Sequence, residues 1–300
     1  RLGLVTSTLR AEWVRIAPYN LAFIQRLSEL GFVEGRNLVI ELRATEGKTE
    51  RLPGLAAELA RSNCDVLVAA GNAAILVALE QATRDTPIVL LAIDYDPLAT
   101  GHVASLARPG GRITGISHIQ SELPAKRVEL LKELLPSARR IAVLADTTTT
   151  GQLASAQDGA KRLGVELQVL QFSAQPYDYE AAFADAVRAK AHALLALGAG
   201  NFVPARRRIT DLALTHRLPS MFHHSVWVEF GGLLSYGPNF DATFRRAAEQ
   251  VAMIFNGRKP ADMPVEQPTR FELVINLKTA KALGVTIPYP VLLRAERLIE

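Results

Sequence analysis

The chain has a single cysteine, Cys64, which excludes an internal disulfide and any CxxC metal or redox site while leaving both reducing and oxidising compartments open. It has no apolar run near the roughly 20 residues that span a bilayer. Stretches such as Asp65-Val-Leu-Val-Ala-Ala-Gly71 and Pro87-Ile-Val-Leu-Leu-Ala-Ile93 have the length of buried strands. Charge of neither sign gathers into a block: Lys plus Arg exceed Asp plus Glu by 34 − 30 = 4, spread along the chain, so nucleic acid is not an expected partner. Catalytic signatures are also missing. No GxxxxGK[ST] or GxSxG occurs, and Gly198-Ala-Gly200 is not completed to GxGxxG, because Val203 stands at the third glycine. His223-His224 lacks an HExxH partner and a third ligand, and adjacent residues on a strand point to opposite faces, so no metal site is expected. Asp94, Asp146 and His223 could make an acid–base set, but their spacing does not single them out. The expectation is a protein without catalysis and without a cofactor.

What is present is the composition of a globular chain, 300 residues with 49% hydrophobic and 21% charged, a length that suggests two domains. Short apolar runs alternate with amphipathic stretches, the pattern of β-α-β units on parallel sheets with helices on both faces. The runs predict strands near 2–7, 37–45, 65–71, 87–93 and 113–118, then near 140–146, 165–172, 192–198, 219–224 and 232–237. Helices are expected near 18–31, 51–62 and 72–83, then near 122–135, 151–163, 178–190 and 203–217, which gives an α/β protein with two sheets of five strands. Gly110-Gly-Arg-Ile-Thr-Gly-Ile-Ser117 and Gly231-Gly-Leu-Leu-Ser-Tyr-Gly237 each set a double glycine and a short strand before a helix, a pseudo-repeat suggesting two like lobes. If each lobe's last helix packs on the other lobe, the chain crosses three times, the third time at Pro268 to Asn276, and makes a hinge. The expected lobes are 1–117 plus 239–265 and 118–238 plus 266–300.

In open parallel sheets the ligand crevice lies outside the carboxyl ends of the strands, so the residues after each run are the candidates. They include Ser7, Asn72, Ala73, Asp94, Tyr95 and Ser117 in the first series, and Asp146, Thr147, Thr148, Asn201, Phe202, His223 and Tyr236 in the second. These segments are rich in hydroxyls, amides and glycines, as suits a small, weakly charged ligand. At Gly71-Asn72-Ala73-Ala74 a strand turns directly into a helix, whose free N–H groups would take a carboxylate; Asn72 also reads as a plain helix N-cap, and the two roles are compatible. Asp94 and Asp96 flank Tyr95, offering a carboxylate for an ammonium group and a ring to stack on, although Asp96-Pro97 also reads as a turn opener. Aromatics are few, 11 Phe, 6 Tyr and 2 Trp. Yet Tyr95, Phe202, Phe222, Trp227 and Tyr236 fall at or past strand ends, with Trp13 in the loop after the first strand, so an aromatic-lined cleft with both tryptophans as lids is expected beside ordinary packing. Arg206-Arg-Arg208 and Lys126-Arg127 read as solvated helix faces, with a membrane partner as an alternative use.

Leu30-Gly-Phe-Val-Glu-Gly-Arg-Asn-Leu38, Leu106-Ala-Arg-Pro-Gly-Gly-Arg-Ile-Thr-Gly115, His216-Arg-Leu-Pro219, Gly231-Gly-Leu-Leu-Ser-Tyr-Gly237 and the tail from Pro260 to Gly284 resemble bacterial ABC-transporter substrate-binding proteins of the tryptophan/tyrosine-uptake type. The resemblance runs over nearly the whole chain. It implies a two-lobed type I periplasmic binding protein fold with Rossmann-like lobes, no catalysis, a periplasmic location and an ABC permease as partner. It also implies that a ligand carboxylate is held where this chain has Asn72-Ala73, with further polar contacts from Ser117, Thr147-Thr148 and Asn201. The chain departs from the family at Asn72, where Thr or Ser is usual, at Tyr95, where a small residue is usual, and at His223-His224. No initiator Met precedes Arg1-Leu-Gly-Leu-Val-Thr6, as in a shortened chain or a mature exported one whose signal peptide has been removed. The resulting expectation is a monomeric, cofactor-free binding protein for a small carboxylate, with a ligand-sensing regulatory or receptor domain and a cleft enzyme as rivals.

Overall fold

A computed structural model describes residues 1–6, 18–46, 48–93, 95–118, 123–268 and 270–300. Its contacts divide the chain into two units, Arg1–Ile119 with Phe240–Thr269, and Gln120–Asn239 with Arg270–Glu300. The chain therefore passes from one unit to the other at three junctions, after residues 119, 239 and 269.

The first unit holds a six-stranded sheet. Its strands are β1 (Leu2–Thr6), β2 (Ile40–Ala44), β3 (Val66–Gly71), β4 (Ile88–Ile93), β5 (Ile113–His118) and β11 (Val265–Glu266), in the order β11-β5-β4-β3-β1-β2, all parallel. A parallel sheet must be covered on both faces, which is why β3 reads as an unbroken apolar run. Alternation then sorts its side chains. Val66, Val68 and Ala70 face α1 (Pro18–Glu29) and α9 (Phe240–Phe255), through Phe23, Leu27, Phe244 and Val251. Leu67 and Ala69 face α2 (Leu52–Arg61) and α3 (Ala73–Ala82). Helix α2 buries Leu52, Leu55, Ala56 and Leu59, the spacing of one helical stripe, and begins with a proline in its first turn, where no N–H is missed.

The second unit holds a seven-stranded sheet, β13-β12-β10-β9-β8-β6-β7. The strands are β6 (Arg140–Asp146), β7 (Glu166–Phe172), β8 (Ala193–Ala196), β9 (Ser220–Phe222), β10 (Leu234–Pro238), β12 (Phe271–Asn276) and β13 (Arg297–Ile299). All pairs are parallel except β10 with β12. One face packs on α4 (Leu123–Leu134) and α5 (Thr150–Arg162), the other on α6 (Tyr179–Arg188), α7 (Arg206–Thr215) and the short α8 (Ser225–Glu229). The chain closes with α10 (Leu277–Leu283), capped by Asn276 at one end and by left-handed Gly284 at the other, and with α11 (Tyr289–Leu292).

Five strands per sheet was too few. Strand β11 has two residues, too short to show a period, β12 lies in the tail read only as a crossing, and β13 follows it. The helix expected over 203–217 is a 3₁₀ segment, Gly200–Ala205, followed by α7, because Pro204 interrupts the first turn. The strand expected over 219–224 stops at Phe222, where the chain turns into α8. Two strand glycines have steric reasons: a Cβ on Gly115 would lie 2.0 Å from the Leu90 carbonyl oxygen, and one on Gly237 would lie 2.1 Å from that of His223.

Candidate functional site

At the carboxyl edge of the first unit, Gly71 takes φ 139° and Asn72 an extended φ −80°, ψ 169°, so β3 enters α3 with no intervening loop. Asn72 occupies the N-cap position, but its side chain makes no capping bond, and the first turn of α3 has no acidic residue. The Ile75 N–H donates to the Asn72 carbonyl at 3.2 Å, while those of Ala73 and Ala74 precede the first intrahelical acceptor and stand at the positive end of the helix dipole. Asn72 is exposed and Ala73 half-buried, so this end is open to an anion.

The neighbouring strand ends are more closed. Tyr95, expected as a free aromatic wall, is packed against the α2–α3 face, edge-on to His102 at 6.4 Å. Its hydroxyl is buried with no hydrogen-bond partner among the described residues, and burial, reinforced by Glu80, raises its pKa above the usual phenol range. The turn reading holds for Asp96, whose Oδ1 accepts from the Leu98 N–H at 2.8 Å. Ser117 and His118 end β5 fully buried, and among the described residues neither the serine Oγ nor either imidazole nitrogen has a partner. His118 stands edge-on to Phe240 at 5.0 Å, and burial pushes its pKa down to about 4. Unsatisfied buried groups each cost about 1–3 kcal/mol and mark places that call for an explanation. Ser7, Trp13 and Asp94 lie outside the described residues.

At the carboxyl edge of the second unit, Asp146 is the organising group. Its Oδ1 accepts from the Thr148 N–H at 2.9 Å and the Thr148 hydroxyl at 2.6 Å. Its Oδ2 accepts from the Asn201 amide at 3.0 Å and the Tyr177 hydroxyl at 3.3 Å. The structure thus gathers Asp146, Thr148 and Asn201, all expected at the site, around one carboxylate, with Thr147 exposed beside them. A carboxylate has about four lone-pair positions. Those of Asp146 are occupied from within the chain, so its part is to organise its neighbours.

Tyr177 was missed. It lies in the loop after β7, where the strand-end rule points, but the expected residues include none from that loop. Its ring stacks on Phe172 at 4.8 Å, and burial followed by the charge of Asp146 raises its hydroxyl pKa.

The aromatic lining of this unit needs correcting. Trp227 is 1% exposed and stacks on Phe222 at 4.8 Å, because the His224 imidazole accepts the Val226 N–H, caps α8 and turns that helix back onto the sheet. It is core, as are Phe222 and Phe202, the latter packed edge-on against Phe172 at 5.7 Å. Tyr236 is half-buried against the α4–α5 face. His223 is buried and edge-on to Trp227 at 5.9 Å, with Nδ1 unpartnered; burial, then Arg127, then His224 hold its pKa well below the usual imidazole value. Arg127, expected on a solvated face, is buried and donates from Nε to the Tyr236 carbonyl at 2.8 Å. Among the described residues no group of three or more His, Cys, Asp or Glu could hold a metal ion, and no helix is long and apolar enough to cross a membrane.

With this geometry in hand, comparison with known proteins is informative. A profile of the family described as ABC transporter substrate binding protein matches residues 20–299. The chain is 26% identical over 266 residues to the tyrosine-binding protein of Clostridioides difficile (strain R20291), covering 88% of this chain and 75% of that one. The crystal structure of a conserved domain protein from Vibrio cholerae superposes with a TM-score of 0.85 at 26% identity, covering 99% of each chain. An ABC domain from Streptococcus pneumoniae, crystallised with L-Trp, superposes with a TM-score of 0.83 at 23% identity over 100% of each chain, a likeness of fold. The architecture is that of the type I periplasmic binding proteins.

Proposed function

Since the chain belongs to the ABC transporter substrate-binding protein family, whose members bind solutes and do not catalyse, we propose that it works outside the cytoplasm as a monomer, reversibly binding a small organic carboxylate, an aromatic or apolar amino acid, for delivery to a membrane permease. The observation that carries this reading is the uncapped N-terminus of α3. Its N–H groups and dipole suit a carboxylate, and no side chain of its first turn competes for them. The amino-acid class is supported by the two relatives, one named for tyrosine and one holding L-Trp. In this reading Asn72 and Ala73 are the contacts of the first unit, and Thr147, Thr148 and Asn201 are the candidate contacts that the second unit presents at its own carboxyl edge.

The test is a backbone substitution. Ala73 is the first residue of α3, and Asn72 before it is already extended, so proline fits at position 73 without breaking the helix. Ala73→Pro deletes one anion-facing N–H. Isothermal titration with L-tryptophan, L-tyrosine and L-leucine should show binding by the parent chain, and about tenfold weaker binding by Ala73→Pro at unchanged thermal stability. No heat and no stabilisation with any of the three would sink the amino-acid reading. Equal affinity of both chains would move the carboxylate elsewhere.

A further inference from the structure

Four donors converge on Asp146, and their directions fix what the end of β6 offers a ligand. A carboxylate accepts and cannot donate, so the Asn201 atom 3.0 Å from Oδ2 is its amide nitrogen. That nitrogen also lies 3.3 Å from the Tyr177 hydroxyl oxygen, which itself donates to Oδ2. The N–H groups of Asn201 are therefore spent inward, and its carbonyl oxygen is left without a partner among the described residues. Thr148 spends its N–H and its O–H on Oδ1 in the same way, leaving lone pairs on its oxygen. The stack of Tyr177 on Phe172 holds the phenol in place. The polar atoms that Asn201 and Thr148 have left over are then acceptors, and the negative charge of the carboxylate stands directly behind them.

We infer that this edge of the second unit receives a cationic hydrogen-bond donor, a primary ammonium, on the Asn201 carbonyl oxygen, with Asp146 and Tyr177 as positioning residues that fix the amide's orientation. The inference rests on the amino-acid reading above and adds to it where the second unit would meet the ligand's ammonium.

The experiment compares L-tryptophan with indole-3-propionate, the same framework without the ammonium, by calorimetric titration. The parent chain should prefer L-tryptophan by about tenfold or more. Asp146→Asn places an amide that can donate toward Asn201, so the Asn201 amide is free to turn its N–H outward. The preference should fall to within about threefold of unity while affinity for indole-3-propionate is kept. Tyr177→Phe preserves the stack on Phe172, removes one of the two inward acceptors, and should lower the preference by about threefold.

A preference unchanged in both variants overturns the inference, and so does an equal loss for both ligands, the mark of a merely structural role. Should Asp146→Asn fail to fold, Tyr177→Phe and Thr148→Val decide by the same ratio. A parent chain that binds both ligands equally overturns the inference and leaves the carboxylate reading standing. A parent chain that binds neither these two nor L-tyrosine and its deaminated counterpart overturns both.

Discussion

The two units share a design, a mostly parallel sheet between helix layers with polar residues at the carboxyl edge, yet the two edges differ in chemistry. The first is built from backbone donors at the α3 terminus and from neutral side chains, Tyr95, Ser117 and His118, buried without partners. The second is built around a carboxylate whose neighbours all point their donors inward. The difference shows that strand topology fixes where the polar strand-end atoms lie, while one buried residue at a strand end decides whether they give or take hydrogen bonds.

The aromatic residues separate the units further, and the largest expected effect tests this. Removing Trp227 from the core of the second unit leaves a cavity against Phe222, so Trp227→Ala should cost about 3–5 kcal/mol in urea denaturation. A variant of parental stability with weakened ligand binding would return Trp227 to the ligand wall.

Next comes pH. The folded-state pKa of His118 is about 4 against an ordinary 6.5, so the unfolded chain holds the extra proton between these values. The stabilisation is complete above pH 6.5 and is lost as pH falls toward 4, a change of about 3 kcal/mol. His118→Gln should flatten that part of the stability curve. His223 acts with the same sign in the second unit, so the double variant with His223→Gln should flatten it further. A single variant with the parental slope would place the acid sensitivity outside the first unit.

A smaller effect is expected at Tyr95. Tyr95→Phe removes a hydroxyl buried without a partner, so it should leave stability unchanged or raise it by up to about 1 kcal/mol. A clear loss would mean that the hydroxyl is satisfied in solution.

The smallest effect concerns the ion pairs that join α1, α9 and β11 in the first unit: Arg26 with Glu29 and Glu249, Arg245 with Glu29, and Arg246 with Glu249 and Glu266. These groups are partly exposed, so Glu266→Gln should cost only about 0.5–1 kcal/mol and less at high salt. A loss several times larger would show that the pairs hold β11 in the sheet.

Much of this was legible from residue pattern. Apolar runs bounded by Gly, Asn and Asp marked the main strands, and Gly71-Asn72 marked the direct entry into α3. Trp227 was misplaced because a residue just past a strand can face either way, and the cap from His224 that turns α8 inward is a contact between side chain and backbone with no period. The role of Asp146 was hidden for a related reason. Its donors come from Thr148, Tyr177 and Asn201, brought together only by the parallel order of β7, β6 and β8. Strand β11 has two residues, and no alternation can be read from two.

The first unit is assembled from two separate stretches of chain, and α9, with Phe244, Ala247, Ala248 and Val251, supplies part of its core only after residue 239. When the polypeptide emerges amino end first, β1 to β5 must wait with one face covered by α1 alone until the whole intervening stretch has followed. Completion is thus ordered in time as well as in space: the first unit is finished only after most of the second has emerged, the second only with the last residues of the chain, and a chain stopped at residue 239 would leave the part of the β3 face that α9 covers bare to water and to other chains.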